Sequence, residues 1–280
     1  MTQQFGGKWT KEKLAILDGY LNAYTSVFKN KKFKIVYIDA FAGTGKIQTT
    51  TDLGMQQFLR GSASIALEVS DRPFDTLVFI EQDSNKCKVL ENKCAEPKYA
   101  ERNTRIINDD ANTYLTNLKV DWSTWRGVLF LDPFATEVNW HTIETIANFE
   151  ALDTWILFPV SAVSRMLPVQ CLPEKISEKL STSLDTIYGD DSWKNLYGKP
   201  PTRDLFDFDQ SARVRLRGVE GLLSIYKAKL KREFGKRFLA RSKTLKNSKN
   251  SAMFELIFCV GNSDGIAVAK RIADHLLKDL

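Results

Sequence analysis

Five short apolar runs punctuate the first part of the chain: "IVYIDAF" from Ile35, "TLVFIEQD" from Thr76, "TRIIND" from Thr104, "GVLFLDPF" from Gly127 and "TWILFPV" from Thr154. Four of them hold three or more consecutive apolar residues rather than strict alternation. A strand with one wet face alternates, so these runs suit strands covered on both faces, a parallel sheet between helical layers. The expected fold is α/β: a doubly wound, Rossmann-like, mostly parallel sheet in a single domain over residues 1–280.

The segments around the runs fill in the rest of that domain. "TKEKLAILDGYLNAYTSVF" puts Leu14, Leu17, Tyr20, Leu21 and Tyr24 at helical spacing, with Thr10 as its N-cap. After the first run, an excursion from Lys46 to Asp75 reads as a loop and then a helix, "GSASIALEV". Residues 162–210, punctuated by Pro and Gly, read as a helical insertion. A basic helix from about Phe208 to Phe234 follows. "RFLARSKTL" and "AMFELIFCVGN", joined by the polar turn "KNSKNS", predict an antiparallel C-terminal hairpin, and "DGIAVAKRIADHLL" a last helix.

Composition excludes several classes. No run approaches the roughly 18 apolar residues of a bilayer span, and the N-terminus carries no apolar signal core, so the sequence reads as cytoplasmic with no membrane partner. The four cysteines (Cys87, Cys94, Cys171, Cys259) contain no CxxC pair, and there are only two histidines, His141 and His275. A metal centre and a Ser/His/Asp triad are both disfavoured. Of the net charge of +6, residues 227–249 carry +9 and the rest of the chain −3. Lys236, Arg237, Arg241, Lys243 and Lys246 belong to this segment, which either neutralises phosphates or forms a solvated helix face and loop.

The first four runs end in acids: Asp39, then Glu81 and Asp83, then Asp109 and Asp110, then Asp132. In a doubly wound sheet these strand ends border the ligand crevice. The turn "DAFAGTGK" after the first run fails as a phosphate loop, because Ala40 replaces the first glycine and Ile47 the magnesium-binding hydroxyl, and the acids would repel phosphates. It lacks the third glycine of a nicotinamide turn. S-adenosylmethionine suits it better, being free of phosphate and carrying a sulfonium, an amino group, a ribose diol and an adenine amine. Gly43 and Gly45 would allow close backbone approach, Glu81 would accept the ribose hydroxyls, and Asp110 the adenine amine. The structural alternatives are two turn glycines, an exposed strand-end acid and a helix N-cap.

Asp39, Phe41, Gly43, Thr44 and Gly45 match D-x-F-x-G-[ST]-G, motif I of amino-group methyltransferases. The chain as a whole resembles the three-Cys-motif partner family: "YIDAFAGTGK", "RGSASIALEV", "FIEQD", "NDDAN", "LFLDPFATEVNW" and "ELIFCVGNSDGIAVAKRI" follow in the family's order over nearly its full length. The resemblance implies a class I methyltransferase-like fold, S-adenosylmethionine as cofactor, held by Asp39, Phe41, Gly43, Gly45, Glu81, Asp110 and Ala111, and a separate three-cysteine-motif protein as partner.

Asp132, Pro133 and Phe134 fall where amino-methyltransferases carry [DNS]-P-P-[YFW]. There the acid and a proline carbonyl accept hydrogen bonds from an exocyclic amine, and an aromatic stacks on the flipped-out base. Here the aromatic comes one position early and Ala135 follows it, so the pair Asp132–Pro133 also reads as a simple strand-to-loop turn. The function expected is an S-adenosylmethionine-dependent methyltransferase acting on a nucleic-acid base amine. The alternative is a non-catalytic adaptor of the same fold, binding the cofactor and the partner protein; a nucleotide hydrolase is disfavoured by the missing phosphate-loop residues.

Overall fold

The computed structural model describes residues 8–50, 56–169, 172–198, 214–216 and 218–278. Seven strands make the main sheet: β1 (Lys34–Asp39), β2 (Thr76–Ile80), β3 (Thr104–Ile107), β4 (Trp125–Leu131), β5 (Leu152–Phe158), β6 (Lys243–Lys246) and β7 (Ala252–Cys259). In space they run 3-2-1-4-5-7-6, with the first five parallel and β7 antiparallel to both of its neighbours. This is the doubly wound, Rossmann-like, mostly parallel sheet with an antiparallel C-terminal hairpin that the apolar runs and the C-terminal segments implied.

The continuous apolar character of the runs follows from two cores. Alternate side chains of a strand point to opposite faces. Val36, Ile38, Val78, Ile80, Leu129, Leu131, Ile156 and Phe158 pack on one side of the sheet, while Ile35, Tyr37, Leu77, Phe79, Val128, Phe130, Trp155 and Leu157 pack on the other. The first face is covered by α4 (Ala111–Thr116), α5 (Trp140–Phe149), α6 (Val160–Met166), α7 (Glu178–Tyr188) and α8 (Val219–Phe234). The second is covered by α1 (Lys8–Val27), α2 (Ser62–Glu68), α3 (Ser84–Cys94) and α9 (Ile266–Leu276). Both faces of each central strand exclude water, so neither face selects polar residues.

Three local expectations change. The helix expected to begin at Thr10 already includes Lys8, which puts Thr10 inside the first turn instead of at the cap. The loop expected after Gly45 is a hairpin of Lys46–Thr50 against Gln56–Arg60; its polar threonines and glutamines gave no apolar period to read. The basic helix starts at Val219, not near Phe208, and a short strand Val214–Arg215 precedes it, paired with Tyr197–Gly198. Residues 199–213 of that stretch lie outside the described residues. Within 162–210, the described elements are helical apart from Tyr197–Gly198, with α7 as the longest.

The strand order reverses between β1 and β4. From β1 the chain moves outward through β2 and β3, then returns to place β4 on β1's other side. Helical connections therefore leave in opposite directions from adjacent strand ends, opening a crevice above the carboxyl ends of β1 and β4.

Candidate functional site

β1 delivers Asp39 to this crevice at the level of Phe130 on β4. The Asp39 carboxyl is fully buried and accepts hydrogen bonds from Phe41 N and Tyr37 Oη, each at 3.3 Å. Burial pushes its pKa up to about 7; a bond from Ser62 lowers it, the nearby Asp132 raises it, and Phe41 and Tyr37 oppose the rise. Beyond Asp39 the backbone turns through Gly43 at φ +59° and Gly45 at φ +67°, the left-handed region that favours glycine. A Cβ on Gly45 would come within 3.1 Å of Leu90 Cδ1, whereas one on Gly43 would meet nothing within 4 Å. Gly45 is required by packing and conformation, and Gly43 leaves space above the turn.

Glu81, just past β2, pins this turn. Its Oε2 accepts from Gly43 N at 3.1 Å and its Oε1 from Asp83 N at 2.9 Å, with Lys86 Nζ 3.7 Å from Oε1. Asp110 caps α4, accepting from Thr113 N at 2.9 Å and Thr113 Oγ1 at 3.2 Å. Ala111, the first residue of that helix, is buried and small. Asp132 follows the end of β4, and after Pro133 the Phe134 N–H donates to Glu137 Oε2 at 2.7 Å. The Phe134 ring is 67% exposed.

These elements enclose a cavity of about 590 Å³. Phe41, Gly43, Glu81, Asp110, Ala111, Asp132, Pro133 and Phe134 all line it. Asp39 and Gly45 do not: they lie behind the wall and hold its shape. Asp39 is therefore placed to support the turn rather than to touch a ligand. Of the acidic strand ends, Glu81, Asp83, Asp109, Asp110 and Asp132 converge on one space, and Asp39 does not reach it.

Sequence reasoning missed the contribution of α1. Trp9, Thr10 and Lys13 line the same cavity, as does Phe254 of β7. Lys13 Nζ lies 2.5 Å from Asp132 Oδ2, with side-chain exposures of 5% and 20%. Trp9 packs on Phe254 with ring centroids 4.8 Å apart and planes inclined by 34°. The available signal was Lys13 itself, a lysine on the apolar side of a helix whose other inward positions are Leu14, Leu17 and Leu21.

The five basic residues do not form one surface. Glu255, paired with Phe158, makes the last contact between β7 and β5, so Ala252–Phe254 run past the carboxyl end of β5. Lys246 pairs with Ala252, which puts the hairpin tip, including Lys246 and exposed Lys249, beyond the ligand edge. Lys243 lies lower, opposite Leu256. Arg237 is buried, donating to Gly261 O at 3.0 Å and Ala147 O at 2.9 Å. Gly261 N in turn donates to Asp153, at the amino end of β5. Arg237 and its neighbour Lys236 are thus at the opposite edge of the sheet, and Arg237 cannot reach a phosphate. Arg241 Nε bonds Asp274 Oδ1 at 3.0 Å. Their closeness along the chain concealed this split.

Among the described residues no group of His, Cys, Asp and Glu could hold a metal ion, and no helix is long and apolar enough to cross a membrane. No family model matches the chain, and no curated protein matches it. Solved structures do. Protein LPL1258 from Legionella pneumophila is 11% identical, covering 93% of this chain and 90% of its own at a TM-score of 0.49. Trm1 from Pyrococcus horikoshii, solved with S-adenosyl-L-methionine, is 11% identical over 95% of this chain and 58% of its own, TM-score 0.44. A putative S-adenosylmethionine-dependent methyltransferase from Listeria monocytogenes is 8% identical over 85% of this chain and 96% of its own, TM-score 0.38. What the site can do chemically follows from its own residues.

Proposed function

We propose that the protein is an S-adenosylmethionine-dependent methyltransferase that modifies a base amine of nucleic acid, working with a three-cysteine-motif partner as the family resemblance implies. The observation that carries this reading is the convergence of Glu81, Asp110 and Asp132 with the open turn at Gly43 on one cavity at the switch point of the sheet. The donor set is right for a cationic, phosphate-free ligand. Six carboxylate residues line it against two lysines, Lys13 and Lys86, and a side chain at Gly43 would occupy the space the ligand needs.

Glu81, Asp110 and the Gly43 turn would hold the cofactor, which supplies a methyl group already activated by its sulfonium. Asp132 and the Pro133 carbonyl would accept hydrogen bonds from the acceptor amine and aim its lone pair. Orientation of this kind supplies much of the acceleration when the leaving group needs no help. Trp9, Phe254 and the outward ring of Phe134 offer aromatic faces for a base, and the lysines of the β6–β7 tip would track its phosphates.

One observation favours the second reading, a cofactor-binding adaptor: Lys13 already occupies one oxygen of Asp132. A methyl-transfer assay on RNA and on DNA, with Asp132→Ala as control, separates the two. Transfer abolished by the substitution supports the enzyme. Binding of the cofactor without transfer, with the partner protein present, supports the adaptor.

A further inference from the structure

The acceptor half of the cavity contains a donor and an acceptor fixed side by side. Asp132 Oδ2 takes one proton of Lys13 Nζ at 2.5 Å, and among the described residues no other donor reaches Asp132. An ammonium has three protons, so two remain on Lys13, and Asp132 keeps Oδ1. Both side chains line the cavity. Lys13 is held from behind by the Trp9 and Phe130 rings, with Nζ 5.4 Å and 5.9 Å from their centroids.

We infer that Lys13 is a specificity-determining residue that reads the ring nitrogen beside the acceptor amine. This rests on the methyltransferase reading above. With the amine on Asp132 Oδ1, the adjacent Lys13 proton faces the next atom of the heterocycle. The pair selects a base whose amine neighbours an unprotonated ring nitrogen on its pairing edge, which describes adenine and cytosine. The base lies against the Trp9–Phe254 pair.

The test compares short single-stranded oligonucleotides carrying adenine or 1-deazaadenine, and cytosine or 3-deazacytosine; each analogue keeps the amine and loses only the ring nitrogen. Binding is followed by titration in the presence of S-adenosylhomocysteine. A hydrogen bond to a charged donor is at stake, so the wild type is expected to prefer at least one natural base over its analogue by about tenfold or more. Lys13→Met should remove that preference and Lys13→Arg retain part of it, with S-adenosylhomocysteine binding intact in both as the check on folding. No preference in the wild type, no binding of either natural base, or an unchanged preference in Lys13→Met overturns the inference. Loss of S-adenosylhomocysteine binding in the wild type would instead overturn the function on which it rests.

Discussion

Lys13 and Asp132, 119 positions apart in the chain, meet at 2.5 Å and tie the first helix to the end of the fourth strand. The contact joins an element that the motifs do not mention to the acid on which amine chemistry would depend.

Removing one member of a mostly buried pair strands the other charge. Such losses run to about 3–5 kcal/mol when burial is complete, and Asp132 is 20% exposed, so about 2 kcal/mol is expected for Lys13→Met. Urea denaturation of Lys13→Met, Asp132→Asn and the double variant should show the second substitution costing much less after the first. Additive losses would mean that the contact contributes no coupling.

Asp39 gives a pH signature. Its carboxyl titrates near 3.8 when unfolded and about 7 in the native protein because of burial. The folded state therefore binds the proton more tightly, and this contribution to stability is complete below pH 4 and lost as pH rises through 7. At 1.4 kcal/mol per unit, the native state carries about 4 kcal/mol of this penalty above pH 7. Asp39→Asn resembles the protonated form, so its stability relative to wild type should climb between pH 4.5 and 8 in denaturant titrations. Asp153, raised to about 6 by burial against bonds from Gly261 N and Tyr20, supplies a smaller slope that this variant leaves in place.

The two turn glycines should fail differently. Gly45→Ala meets both a φ of +67° and Leu90 at 3.1 Å, and should cost at least the 1–2 kcal/mol of a left-handed residue. Gly43→Ala bears the conformational cost alone, yet its methyl enters the cavity, so the loss should appear mainly in cofactor affinity. Parallel melting and calorimetry distinguish them.

The basic segment divides by position. Lys246→Glu with Lys249→Glu should weaken binding to single-stranded nucleic acid and flatten its dependence on salt, because the hairpin tip stands beyond the same edge of the sheet as the cavity. Lys236→Glu, at the opposite edge, should leave both unchanged. Equal effects would return the segment to a nonspecific role.

The sheet was legible because burial on both faces produces continuous apolar runs, which few other environments allow, and the acids that close them marked the correct edge. Less legible were features set by partners distant in sequence. Nothing near Arg237 reveals that its guanidinium turns inward to Ala147 and Gly261. Asp39 matched a motif, but whether it lines the cavity or stands behind it depends on how the turn folds over it. Lys13 was hidden because a single lysine in an amphipathic helix does not disclose what it faces.

The claim on which everything else depends is that the cavity above β1 and β4 holds S-adenosylmethionine through the Gly43–Glu81 turn. Isothermal titration calorimetry of the full chain with S-adenosylhomocysteine tests it most directly. One ligand per chain is expected, with affinity reduced about tenfold or more by Glu81→Gln, which weakens a charged hydrogen-bonding group at the site. Absence of binding by the wild type, or binding that Glu81→Gln and Gly43→Ala leave untouched, would contradict it.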